Sequence, residues 1–230
     1  MMKDEKIKLG ISIGDLNGIG GEIILKTFED SRMLDFCTPV IFASAKTITF
    51  LIKHFGLTLT FQGVKTMDSI IPGKINVVNV WNENTRIEFG EETKEAGLYA
   101  IKSLKEAVKS LKNHEIDVLV TAPISKSNIQ DEEFSFPGHT DYLNQELEGN
   151  SLMFMITNTL KIGLLTDHMA VKDVSINITP EVIEQKYKTV YETLVQDFGI
   201  SKPKVAFLGI NPHIGDHGVI GKEDDEVLIP

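Results

Sequence analysis

The chain has 230 residues, 42% of them hydrophobic and 24% charged, with a net charge of -10. That length allows one large domain or two small ones with a full core, and the acidic balance argues against nucleic acid, since phosphate neutralisation needs clustered Lys and Arg. No stretch reaches the length of a membrane span, residues 1–8 are too charged for a signal peptide, and Cys37 is the single cysteine, so no intrachain disulfide can form. The expectation is a cytoplasmic protein with neither a nucleic-acid nor a membrane partner.

Residues 7–14 read as a first strand, followed by a Gly-rich turn and a helical pattern over 20–30. A second strand covers 39–44, a helix 45–55 with Ile48, Leu51 and Ile52 on its apolar side, and another strand 75–80. Residues 91–114 carry the clearest helical periodicity: Ala96, Tyr99, Ile101, Leu104, Ala107, Val108 and Leu111 recur between Lys and Glu. An apolar strand at 117–123 runs into a turn, and 152–157 and 162–166 read as paired strands. A helix over 180–198 opens with Thr179 as N-cap and Pro180 at its first position, and 204–210 reads as the last strand. Strands alternating with helices predict an α/β protein with a largely parallel sheet. The polar, turn-rich stretch 124–138 suggests a boundary between a first α/β lobe at 1–125 and a second at 126–230.

Five segments carry groups suited to chemistry. Gly14-Asp-Leu-Asn-Gly-Ile-Gly20 joins the first strand to the first helix, where a backbone can approach a ligand and a helix N-terminus favours anions. Its spacing is neither the dinucleotide-binding fingerprint nor a P-loop, and a plain turn capped by Asp15 is the bland alternative. Thr121-Ala-Pro-Ile-Ser-Lys126-Ser-Asn128 presents Lys126 and hydroxyls suited to a carboxylate or phosphate, or else is a solvated loop. His139 and Thr140 follow a Pro-Gly turn at a helix start, where backbone N–H groups, an imidazole and a hydroxyl could grip a phosphate; alternatively Thr140 is only a cap. His168 follows Asp167 after an apolar run, and His213 lies in a Gly/Pro-rich loop with Asn211, Asp216 and His217 after another. Two histidines at strand ends would point imidazoles at a sheet's carboxyl edge, where open α/β sheets hold ligands. An isolated histidine there is as well explained by a backbone hydrogen bond.

Taken in order, Gly14-Asp-x-Asn-Gly-Ile-Gly, Thr121-Ala-Pro-Ile-x-Lys, Phe136-x-Gly-His139-Thr140, Thr166-x-His168 and Asn211-Pro-His213-x-Gly make the chain resemble the 4-hydroxythreonine-4-phosphate dehydrogenases of vitamin B6 biosynthesis, over essentially its whole length. The resemblance implies a two-lobed fold like that of isocitrate and isopropylmalate dehydrogenases, and a homodimer with its sites at the interface. It implies NAD-dependent oxidation and decarboxylation of a small phosphorylated substrate, 4-phosphooxy-threonine, to 3-amino-2-oxopropyl phosphate. His168 and His213 match two ligands of a divalent metal, zinc first, with magnesium or cobalt as alternatives. His139 and Thr140 match a substrate-binding pair, and Lys126 matches a basic residue near the pocket and takes the catalytic role. No residue is assigned to NAD.

The chain departs from that pattern in two places. It ends at Pro230, soon after the fifth motif, so the fold is expected to be incomplete at its C-terminus and to lack a third metal histidine in a His-Asp-Gln-Gly context. Asn17 stands where many members have a Pro-Ala pair. Two other readings stay open: a paralogue acting on 4-phospho-threonate or 4-phospho-erythronate, and a non-catalytic remnant.

Overall fold

The computed structural model describes residues 6–131 and 134–230. Its contacts divide the chain into two units, residues 1–147 and 148–230. The first therefore runs past the 1–125 lobe expected from the sequence.

The first unit is built on a five-stranded parallel sheet in the order β3-β4-β2-β1-β5. Its elements are β1 (Ile7–Ser12), α1 (Gly20–Glu29), β2 (Cys37–Ala43), α2 (Ala45–His54), β3 (Gln62–Val64), β4 (Asn76–Asn79), α3 (Lys94–Lys112), β5 (Val118–Thr121) and α4 (His139–Glu146). Central β2 is buried along its whole length, with Val40, Ile41, Phe42 and Ala43 fully enclosed. That is the continuous apolar run a parallel strand shows when both faces are covered, and the Val40, Ile41 and Phe42 side chains each contribute roughly 1.5–3 kcal/mol by leaving water. One face packs Ile11, Ile41 and Val77 against Ile24, Leu25, Ile48 and Leu51; the other packs Phe42, Val78 and Ala107.

Helix α3 is tied to the sheet by more than apolar contact. Ser103 Oγ donates to the Phe42 carbonyl and accepts the Ile13 N–H, so a buried hydroxyl bridges β2 and the end of β1. Thr93 caps the helix by accepting the Ala96 N–H.

β1 passes the chain on to β2 on one side, while β5, reached by crossover from β4, lies on its other side with Ser12 opposite Thr121. The carboxyl ends of β1 and β5 therefore flank the point where chain direction switches, the usual ligand crevice of an open α/β sheet.

The second unit contains β6 (Phe154–Ile156) and β7 (Lys161–Gly163), paired antiparallel, then α5 (Val174–Asn177) and α6 (Pro180–Gln196). Thr179 caps α6 and Pro180 opens it, as the sequence predicts. The strand expected at 204–210 is not formed: the segment joins neither sheet, and Leu208 is 85% exposed. Apolar composition makes a segment fit for a strand, but a strand exists only where a neighbour supplies the ladder. Similarly, β7 stops at Gly163, five residues short of His168. Among the described residues no helix is long and apolar enough to cross a membrane.

Candidate functional site

At the carboxyl edge of β1 and β5 two loops are hydrogen-bonded together. The Asp15 N–H donates to the Pro123 carbonyl at 2.9 Å, and the Asn128 side-chain amide donates to the Asp15 carboxylate at 3.1 Å. Gly14 makes the approach possible: its φ is +73°, and a Cβ there would sit 2.3 Å from the Pro123 oxygen. Asp15 does cap its own loop, accepting from the Asn17 N–H, but it also holds the loop after β5.

Asn17 secures the same corner from the other side. Its side chain is 4% exposed and fully hydrogen-bonded, donating to the Glu91 carbonyl and Thr93 Oγ1 and accepting the Glu88 N–H. The helix-capping Thr93 and the Gly-rich loop thus share one polar residue. Sequence reasoning saw Asn17 only as a departure from a pattern; its partners lie more than seventy residues away, beyond any local signal.

The loop after β5 brings Lys126 toward α4. Lys126 is exposed, and its Cε lies 3.8 Å from where a Cβ on Gly138 would be, directly before His139 and Thr140. Three of the five expected site residues are therefore neighbours. Helix α4 is held by an aromatic cluster in which the rings of Phe134, Phe136 and Tyr142 lie 5.1–5.3 Å apart, packed on Ile101, Leu104 and Val108 of α3. Burial and the nearby Glu146 carboxylate push the Tyr142 phenol up to about 12, so it stays protonated and structural.

His139 and Thr140 are the first two residues of α4, whose opening N–H groups have no partner within the helix. His139 is part-buried, and its Nε2 atom is enclosed without a hydrogen-bond partner among the described residues. Burial lowers its pKa, so the imidazole is neutral near pH 7. An exposed ammonium, a hydroxyl and a helix N-terminus together suit a phosphate ester.

His168 and His213 lie in the second unit, and neither ends a strand as the sequence suggested; both are exposed loop residues with left-handed backbones, at φ 45° and 55°. The Asp167 carboxylate stands 3.6 Å from His168 Nδ1, placing a negative charge beside that imidazole. In kind, such imidazoles fit a divalent metal. In number they fall short of a closed site, since no three His, Cys, Asp or Glu side chains come together among the described residues.

The family model for the pyridoxal phosphate biosynthetic protein PdxA matches residues 35–230. This chain belongs to the PdxA family. It is 42% identical, over all of its own length and 64% of the relative's, to the 4-hydroxythreonine-4-phosphate dehydrogenase of Bacteroides thetaiotaomicron. A Clostridium botulinum relative, provisionally named a D-threonate 4-phosphate dehydrogenase, is 27% identical over all of this chain and 70% of its own. The crystal structure of a 4-hydroxythreonine-4-phosphate dehydrogenase from Burkholderia phymatum superposes with a TM-score of 0.85, at 26% identity, covering 98% of this chain and 69% of that one. The chain thus spans under two thirds of the Bacteroides protein's length.

Proposed function

We propose that this sequence carries the substrate-binding part of an NAD-dependent 4-hydroxythreonine-4-phosphate dehydrogenase of vitamin B6 biosynthesis, working in a cytoplasmic homodimer whose two lobes follow the isocitrate dehydrogenase plan. The observation that supports the reading is the approach of Lys126 to Gly138, the residue directly before His139 and Thr140 at the start of α4. There the Lys126 ammonium neutralises a phosphate ester, the Thr140 hydroxyl and first-turn N–H groups donate to its oxygens, and the neutral His139 adds no further charge.

In the proposed reaction the substrate's secondary alcohol loses hydride to NAD and a proton from its hydroxyl, and the resulting β-keto acid releases carbon dioxide. A divalent metal would be held in part by His168 and His213; bound there it supplies Lewis acidity for the hydroxyl being oxidised.

The assay is NADH formation by the product of the complete reading frame, given 4-phosphooxy-threonine or 4-phospho-threonate with zinc, magnesium or cobalt. The reading expects the first substrate to be preferred by at least about tenfold in kcat/KM, about 1.4 kcal/mol in transition-state binding. Preference for 4-phospho-threonate would favour the activity named for the Clostridium relative. No NADH from either substrate would overturn the proposal.

A further inference from the structure

Asp224 is the one acidic residue in the described chain that is fully enclosed, 0% exposed, and the proposed reaction gives it no part. It sits in the run Glu223-Asp-Asp-Glu226, which by composition alone reads as a solvated acidic patch. Its carboxylate instead faces inward. Oδ1 accepts the Ile210 N–H at 2.7 Å, and Oδ2 accepts both the Asn211 N–H at 2.9 Å and the Asn211 side-chain amide at 3.0 Å. Glu223 accepts from the same amide at 2.8 Å. Burial alone would raise the Asp224 pKa, but the donors of Asn211 and Ile210 outweigh it and hold the carboxyl below its usual range.

The consequence lies two residues along. The Asn211 carbonyl accepts the Ile214 N–H, closing a turn around Pro212 and His213. Within that loop His213, Ile214, Asp216 and His217 all have left-handed backbones, with φ between 47° and 55°. For a β-branched residue such as Ile214 this conformation is a true outlier, and it persists only when its surroundings over-determine it. The surroundings here are the Asp224 carboxylate and the Ile220 N–H bond to the Gly215 carbonyl. A side chain at Gly209 would crowd the same carboxylate, since a Cβ there would lie 3.2 Å from Oδ1.

We infer that Asp224 is a positioning residue: its carboxylate clamps Ile210 and Asn211 and so fixes the left-handed turn that presents His213. The inference rests on the reading of His213 as a functional imidazole, but the clamp itself can be tested apart from that reading.

The test uses the full chain, isotope-labelled, with Asp224→Asn compared against Asp225→Asn, an exposed neighbour bearing the same charge change. Amide exchange at Ile210 and Asn211 reads the clamp, His213 main-chain NMR shifts read the turn, and imidazole shifts of His168 and His213 during titration with zinc alone read the consequence. In Asp224→Asn, exchange at both amides accelerates by about tenfold or more, the scale of one lost hydrogen bond to a charged group. The His213 shifts leave their left-handed values, and its imidazole, together with that of His168 on the same metal, needs about tenfold more zinc. Asp225→Asn changes none of these. Unchanged exchange, or unchanged His213 shifts, would overturn the inference. So would faster exchange with an unaltered His213 zinc response, since Asp224 would then be merely structural. If zinc perturbs neither imidazole in the unsubstituted chain, the metal part of the proposed function fails, and the clamp stands or falls on exchange and main-chain shifts alone.

Discussion

Asn128 and Asp15, 113 residues apart in the chain, are joined by a 3.1 Å hydrogen bond from amide to carboxylate at the carboxyl edge of the sheet. This bond fastens the loop that carries Lys126 to the loop that leaves β1. Asn128→Ala is expected to lower the stability of the first unit by about 1–3 kcal/mol, the range for a bond to a charged acceptor in a part-buried setting. Trp81 is the single tryptophan in the sequence and is buried in this unit, so its fluorescence in a urea titration reports that unit alone. An unchanged midpoint would mean that the two loops are held by their backbone bond only.

Gly97, in the first turns of α3, faces the same loop. A Cβ at this position would lie 2.1 Å from the Asn128 carbonyl oxygen, which is backbone and cannot swing away. Gly97→Ala should therefore destabilise the first unit by roughly 1–3 kcal/mol through overpacking, although alanine is ordinarily the better helix former. Stabilisation in the same fluorescence titration would contradict the close approach.

His139 gives a pH dependence of definite sign. Burial depresses its folded pKa below the ordinary value of about 6.5. Between the two values the unfolded chain binds the proton and the folded chain does not, so this contribution is complete above pH ~6.5 and is lost as pH falls toward the folded pKa. Unfolding midpoints measured from pH 7 to 5 should fall less steeply in His139→Gln than in the unsubstituted chain. An imidazole titration of His139 centred at or above 6.5 would contradict the assignment.

Much of this was legible in the sequence because it was local or periodic. The buried run of β2 and the helical spacing of α3 survive as read, since a parallel strand and an amphipathic helix each leave a pattern in one segment. Lys126 and the His139-Thr140 pair were legible as two separate motifs, and the Pro-Gly turn before His139 marks where Lys126 passes. The strand expected at 204–210 was not formed because its existence depends on a ladder partner that the segment's own residues cannot specify. Asp224 was hidden for a different reason: an acid inside an acidic run looks solvated, and only the inward N–H groups of Ile210 and Asn211 distinguish it.

The central claim is that Lys126, His139 and Thr140 form one phosphate-ester site, and binding of 4-phosphooxy-threonine followed by calorimetry tests it most directly. Lys126→Ala and Thr140→Val should each weaken binding by about ten- to hundredfold, the range for loss of a charge-assisted hydrogen bond. Combined, the two losses should fall short of additive because the groups share one ligand. Equal affinity in the unsubstituted chain and both variants would contradict the account.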